Sequence, residues 1–504
     1  MNAPCGLRFP EAWRSETKTV EAGYKVPLEN PIIVWLRQDQ RLSDHPAFAA
    51  AEASRRKVIP CYVLDTRDAR PWQAGSASRW WLHHSLSELR QRIREQDGEL
   101  FLKRGDPVSI ITELALEVAA GAVYWSCAVE PHSRRDEASL ASALEAHGIG
   151  AQGFAGNLLF DPEMIQNRSG APFRVFTPFW KHCLANWSRM RTPTGPVSPA
   201  FSTELPDGDD LDDWGLLPTH PDWAEGLEET WQPGEIAGHT LLHEFAAKAS
   251  RYSARRNFPA EDATSRLSPY LHFGNISAAQ AYAAVATAGR KPDQGAAAFQ
   301  REVGWREFSA HLLVHFPSLP EKPFRAEFAD FPWRDEPQLL RAWQTGQTGF
   351  PIVDAGMRQL WRTGWMHNRV RMVAASVLVK HLLVHWRHGE AWFWDTLVDA
   401  DLGNNAAGWQ WVAGCGADAA PYFRIFNPIL QGQKFDAQGR YVRQWVPELA
   451  KLPDRYLHAP WLAPAAVLKD AGVTLGYNYP RPLIEPDVGR KQALAALETL
   501  KSRT

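Results

Sequence analysis

Ten of the chain's 23 tryptophans lie between Trp305 and Trp411. A single buried indole is ordinary core packing, but ten in one stretch invite a chemical reading. Indole is large, flat and readily oxidised. A cluster of this kind suits stacking on a flat cofactor, stacking on nucleic-acid bases, or passing electrons from ring to ring; a sugar-binding platform is a further use. Polar residues are interleaved with the aromatics at helical spacing. In REVGWREF, Glu302 and Trp305 are three apart and share a helix face. In a pocket, that carboxylate accepts imide or amide N–H groups beside a stacking surface; on a surface, it merely covers an indole. In WMHNRVRM, Asn368 and Met372 are four apart on one face, with Arg371 at a neighbouring angle. A buried Arg371 needs a carboxylate, and Asp399 or Asp401 of DADLGNNAAGWQW supplies it. The segment TSRLSPYLHFGNIS begins with Thr264, Ser265, Arg266, Leu267 and Ser268 before a proline. It reads either as a helix cap or as an anion site, where hydroxyls and free N–H groups at a helix start receive a diphosphate.

These residues must be positioned by the elements around them. The first part of the chain has α/β rhythm. Short apolar runs at 31–36, 57–64, 99–103 and 122–125 read as strands. Helices at about 46–55, 76–96, 106–120 and 134–147 fall between or after them. Such alternation implies a parallel sheet covered on both faces. No G-x-G-x-x-G follows the first run, so the shape alone does not place a dinucleotide there. Residues 161–239 read as a long linker. Between 201 and 240 there are eleven Asp and Glu and no Lys or Arg, an acidic loop expected to be solvated and lacking calcium-loop spacing. From 240 onward the β signals fade. Helical periodicity runs through 241–251, 278–286, 295–315, 337–345, 349–362, 368–387 and 391–400. The fold expected is a Rossmann-like α/β domain over 31–160, the linker over 161–239, and an all-α domain over 240–504, with 1–30 as an extension of no assigned role.

Composition narrows the function. Hydrophobic residues make up 45% and charged residues 22%, as in ordinary globular chains. No apolar run reaches the roughly 18 residues of a membrane helix, because Arg371 and Lys380 interrupt the best one. Five scattered cysteines suggest neither a disulfide framework nor a thiolate cluster, and point to a reducing, cytoplasmic setting. Residues 1–30 lack the apolar core of a secretory signal. The net charge of −2 divides into +7 over 241–504 and −9 over the remainder. A basic C-terminal half suits a polyanion such as nucleic acid, although a mildly basic solvated surface gives the same count.

Taken together, VWLRQDQRLSDHPAF, RYSARRNFP, TSRLSPYLHFGNIS, WREF, FPIVDAGMRQLWRTGWMHNR and DAAPYFRIFNP resemble the photolyase/cryptochrome family in the same order along the chain. The resemblance implies an antenna domain and a helical FAD domain. It implies that Tyr252 and Thr264, Ser265, Arg266, Leu267 and Ser268 hold the FAD phosphates and sugar chain, with Arg306 nearby. Arg371 and Asp399 would pair beside the isoalloxazine, Asp401 would touch FAD, and Asn405 would face its redox nitrogen. A neutral amide there favours the anionic reduced flavin. Trp386, Trp409 and Trp333 correspond to an electron chain running from flavin to surface. Glu302 corresponds to the acid that hydrogen-bonds dimerised pyrimidines, Trp305 and Trp411 to the walls that stack on them, and Asn368 and Met372 to lesion-facing residues of cyclobutane-dimer enzymes. In (6-4) enzymes those two positions are His; here His367 is out of register with them. The activity implied is light-dependent repair of cyclobutane pyrimidine dimers in ultraviolet-damaged DNA, by electron transfer from photoexcited reduced FAD, in a monomer without metal. The alternative is a cryptochrome receptor without repair, and a generic flavin electron carrier gives no role to Glu302. Glu130, in AVEPHSRRDE, aligns with a folate-binding carboxylate. It points to a 5,10-methenyltetrahydrofolate antenna, with a deazaflavin or no antenna as alternatives; Glu130 also reads as a surface ion-pair partner.

Overall fold

The computed structural model describes residues 30–67, 72–286, 293–419 and 423–502. The extension expected over 1–30 therefore lies almost wholly outside the described residues. Strands β1 (Ile32–Leu36), β2 (Val58–Asp65), β3 (Phe101–Gly105), β4 (Ala122–Ser126) and β5 (Gly150–Phe154) form one parallel sheet in the order β3-β2-β1-β4-β5. Every residue of β1 is buried because helices cover both faces. Its side chains alternate between two cores. Ile32, Val34 and Leu36 meet Phe48, Trp80 and Leu86, whereas Ile33 and Trp35 meet Ile111, Leu114 and Leu140. Those contacts come from α1 (Pro46–Ala53), α2 (Ser76–Arg94), α3 (Pro107–Glu117) and α4 (Pro131–Ala146), close to the expected bounds. Strand β5, GAQGF, was not expected. As an edge strand it buries only its last two residues and needs no aliphatic run.

The segment expected to be a linker is a packed layer. It contains α5 (Phe176–Ala185) and α6 (Glu225–Thr230), and it buries Phe179, Trp180, Leu211, Trp214 and Trp231. Its acidic loop is only partly solvated. Asp209 accepts the Arg104 backbone N–H at 2.9 Å and faces Lys103 at 3.5 Å, so the acids neutralise the basic end of β3. Helix α7 (Glu235–Lys248) starts earlier than the periodicity suggested.

The helical part continues through α8 (Tyr252–Arg255), α9 (Ser268–His272), α10 (Ala278–Ala284), α11 (Gln294–His315), α12 (Pro337–Gln344), α13 (Pro351–Thr363), α14 (Asn368–Ser376), α15 (Trp386–Thr396) and α16 (Leu402–Ala413). The single helix expected over 368–387 is two helices. After α14 the chain makes a π-helical turn through Val377–His381, and Leu383 then adopts a left-handed φ of 58°. His385 caps the restart, its Nδ1 accepting the Arg387 N–H at 3.1 Å. Neither Gly nor Pro marks this break.

The loop after β1 docks the two parts together. The Asp44 carboxylate accepts from Arg191 Nη1 at 2.6 Å and the Thr194 N–H at 2.8 Å, and from the Ser277 hydroxyl. The buried Arg41 donates to the carbonyls of Gly274 and Gly156, each at 2.9 Å. Glu235 accepts the Leu42 N–H at 2.6 Å. Charge-assisted bonds of this kind, out of water, fix one orientation.

Candidate active site

Helices α8, α9, α11, α14, α15 and α16 enclose a cavity of about 660 Å³. That lies within the range of small-molecule and cofactor sites, roughly 300–1,000 Å³. Tyr252, Thr264, Ser265, Arg266, Leu267, Ser268, Arg306, Arg371, Asp399, Asp401 and Asn405 all line it, as do Glu302, Trp305, Asn368, Met372 and Trp411. Residues separated by up to 159 positions in sequence thus converge on one space.

Each side chain is held by its element. Arg371 Nη2 meets Asp399 Oδ2 at 2.8 Å and Oδ1 at 3.1 Å, and its Nε donates to the Met366 carbonyl at 2.7 Å. Asp399, not Asp401, is therefore the partner that Arg371 requires. Asp401 caps α16, accepting the Asn404 N–H at 2.8 Å, and faces His272 at 3.7 Å. Burial pushes the Asp401 carboxyl up, but His272, Arg306 and the cap bond outweigh that and hold it at about 2. Arg306 is anchored through the Asn157 carbonyl at 2.9 Å and the Leu271 carbonyl at 3.2 Å. Ser268 is the first residue of α9 and not its cap; Leu267 occupies the cap without a side-chain bond, and Arg266 before it has a left-handed φ of 51°. The Ser268 cap is thus not made, while Thr264, Ser265 and Ser268 all line the cavity and the Ser265 Oγ accepts the Leu267 N–H at 3.4 Å.

Asn405 donates Nδ2 to the Glu390 carbonyl at 3.0 Å, which leaves Oδ1 as the acceptor available to a ligand. Glu390 itself is fully buried, and neither carboxyl oxygen has a hydrogen-bond partner among the described residues. Burial pushes its carboxyl up to about 9, with Arg387 opposing only weakly. The folded chain keeps this proton up to about 9, whereas the unfolded chain releases it near the ordinary 4.5. The folded state therefore binds more protons in that window, and stability falls as pH rises through it. Glu390→Gln removes the titration. Its melting temperature is expected to fall less than the parent's between those two values, by a few degrees at the upper one, since about 1 kcal/mol corresponds to roughly 1 °C for a chain of this length. Parallel pH profiles for the two proteins would contradict this assignment.

Glu302 forms a tight ion pair with Arg256 Nη1, whose guanidinium lies 5.0 Å over the Tyr252 ring. It is thus neither a free surface acid nor an isolated one. Trp411 lies 5.0 Å from the Arg424 guanidinium. Asn368 and Met372 both line the cavity one turn apart, while His367 does not line it; burial pushes its imidazole down to about 4.

The tryptophan series runs in a different order from the expected one. Trp409 lines the cavity and Trp386 does not. Trp409 is seated against Gly389, where a Cβ would overlap the indole. Trp386 is buried one turn earlier on α15, and the His385 ring lies 5.5 Å from it and 5.1 Å from Trp333, which is only partly buried. Trp409 therefore lies at the cavity, with Trp386 buried away from it and Trp333 partly buried.

Several cavity residues were not singled out from sequence: Arg256, Trp365, Arg369 and Asn404. Arg256 was legible, since it follows Tyr252 by four positions; the others had no distinguishing spacing.

A second cavity lies between the sheet and the helices, lined by Trp35, Tyr62, Trp72, Glu130, Asp136 and Trp394, among others. Glu130 is buried and not a surface residue. It accepts from Gln38 Nε2 at 3.0 Å and faces His132 at 3.3 Å. His272 and Ala400 line both cavities. Among the described residues no group of His, Cys, Asp and Glu is arranged to hold a metal, and no helix is long and apolar enough to cross a membrane.

Comparison with known proteins agrees with this geometry. Residues 32–199 match the family described as DNA photolyase, and residues 299–499 match the FAD binding domain of DNA photolyase. The deoxyribodipyrimidine photo-lyase of Agrobacterium fabrum is 46% identical over 94% of this chain and 99% of its own. Cryptochrome-2 of Arabidopsis thaliana is 36% identical over 93% of this chain and 79% of its own. The crystal structure of a bacterial class III photolyase from Agrobacterium tumefaciens superposes with a TM-score of 0.90 at 45% identity, covering 96% of this chain and all of that one. With this sheet order, this helical cavity and these matches along nearly its whole length, the chain belongs to the photolyase/cryptochrome family and carries its FAD-binding domain.

Proposed function

We propose that the chain is a deoxyribodipyrimidine photo-lyase, a carbon–carbon lyase that repairs cyclobutane pyrimidine dimers in DNA under light. The observation that carries this reading is the convergence, in one cavity, of Glu302, Trp305, Asn368, Met372 and Trp411 with Arg371, Asp399, Asp401 and Asn405.

The donor set suits FAD. Hydroxyls of Thr264, Ser265 and Ser268 are acceptable partners for a diphosphate, and the Arg371 guanidinium, kept in place by Asp399, suits a ring that carries negative charge when reduced. When bound, the reduced flavin supplies, on absorbing light, the electron that opens the cyclobutane ring, and receives it back. The protein's own residues do the rest. Asn405 offers a neutral acceptor and no acidic proton, which favours the anionic reduced form. Trp305 and Trp411 stack on the extruded pyrimidines, at about 1–3 kcal/mol per base. Glu302, paired with Arg256, accepts the pyrimidine N–H groups. A dimer is already poorly stacked and paired, so extruding it costs less than extruding intact bases. Trp409, Trp386 and Trp333 return the flavin to its reduced state. The second cavity, with its aromatic walls and Glu130, suits an antenna, and 5,10-methenyltetrahydrofolate is the pigment proposed.

Dark binding tests the pocket assignment. A single strand with one thymine dimer is expected to bind far more tightly than the same strand intact. Equal affinity for the two strands would favour the receptor function suggested by the cryptochrome relatives.

A further inference from the structure

We infer that Phe176, at the start of α5, is a positioning residue for the lesion-facing wall and acts through Trp305; this rests on the reading just given. Phe176 is buried and does not line the cavity. Its ring lies face to face with the Trp305 indole, with centroids 3.7 Å apart and planes 9° apart. Trp180, one turn along α5, continues the series with its plane within 11° of Phe176. It fits against Gly304, where a Cβ would overlap its ring. The other aromatic neighbour of Trp305 among the described residues, Phe308, meets it edge-on at 6.0 Å and 73°. One face of the indole is therefore closed by Phe176, while the indole still lines the cavity.

The Phe176 N–H draws the Asp418 carboxyl down against a larger upward push from burial, and Ala417, next to Asp418, lines the cavity. Asp418 is held in a left-handed conformation at φ 57°. An indole has two side-chain torsions to fix before a base can stack on it. A ring stacked behind it fixes them in advance, so base stacking does not have to bear that ordering cost.

The test is dark binding of a dimer-containing single strand by the parent, Phe176→Leu, Trp305→Ala and the double variant. Leucine keeps the buried apolar volume but not the flat ring; Phe176→Met replaces it if the leucine variant does not accumulate. Phe176→Leu is expected to weaken dimer binding about five-fold, the scale of one lost aromatic pair. Bound flavin and affinity for intact strand stay at parent values, and no further loss appears in the Trp305→Ala background. Unchanged dimer binding in Phe176→Leu, or an equal loss in the Trp305→Ala background, would overturn the inference. Parent-like dimer binding by Trp305→Ala would instead remove the lesion-wall reading itself, and this inference with it.

Discussion

Replacing Trp409 by phenylalanine is expected to all but abolish photoreduction of bound oxidised flavin, while protein reduced chemically beforehand repairs dimers at the parent rate. Trp409 is the tryptophan of the proposed series that lines the cavity, so it is the immediate electron donor to the excited flavin. Phenylalanine fills most of the same volume against Gly389 and Phe393, so the fold is retained, but its ring is far harder to oxidise than indole. Trp386→Phe should behave alike, since Trp386 is the proposed middle ring, buried beside His385, whose ring also lies 5.1 Å from Trp333. The measurement is the flavin absorbance under blue light with an external reductant, followed by repair after dithionite reduction. Undiminished photoreduction in Trp409→Phe would remove this electron route. Lost repair in the chemically reduced variant would mean that Trp409 serves the lesion chemistry as well.

Removing the Glu302 carboxylate is the second large effect. Hydrogen bonds to a charged group contribute about 1.5–3 kcal/mol, so Glu302→Ala is expected to lower repair per absorbed photon and dimer affinity together by about 10- to 150-fold. The change also leaves the Arg256 guanidinium without its partner. Flavin should remain bound, because the diphosphate and ring sides of the cavity are built from Thr264, Ser265, Ser268, Arg371 and Asp399. The flavin-to-protein absorbance ratio decides the matter. Loss of flavin on Glu302→Ala would make Glu302 a structural residue, and unchanged repair would leave it without a role.

Much of this site was readable in the sequence because helical spacing is regular. Glu302 with Trp305, and Asn368 with Met372, fell on shared faces that the helices do present to one cavity. The alternatives for Arg371 could not be separated by spacing, since Asp399 and Asp401 are both near in sequence; the family resemblance favoured Asp399, and its direct bonds to Arg371, with Asp401 occupied as the cap of α16, agree. The order of the tryptophans was misread for a similar reason. Trp386 and Trp409 sit on different helices, and their distances from the cavity depend on the break at Leu382–His385, which carries no Gly or Pro. Long-range packing was the least legible part. Segment 161–239 looked like a solvated linker by its Pro, Gly and acidic content, yet most of its scattered aromatics are buried, and Phe176 reaches a residue 129 positions away. Composition averages over such a segment, whereas a single aromatic contact decides where it goes.

The central claim is that light, acting through this cavity, splits pyrimidine dimers. The most direct measurement incubates the purified, flavin-reduced protein with an oligonucleotide carrying one cyclobutane thymine dimer, in blue light and in darkness, and follows the return of thymine absorbance. Restoration in the light and none in the dark is the result predicted here. Tight binding of the damaged strand with no restoration under illumination would contradict it.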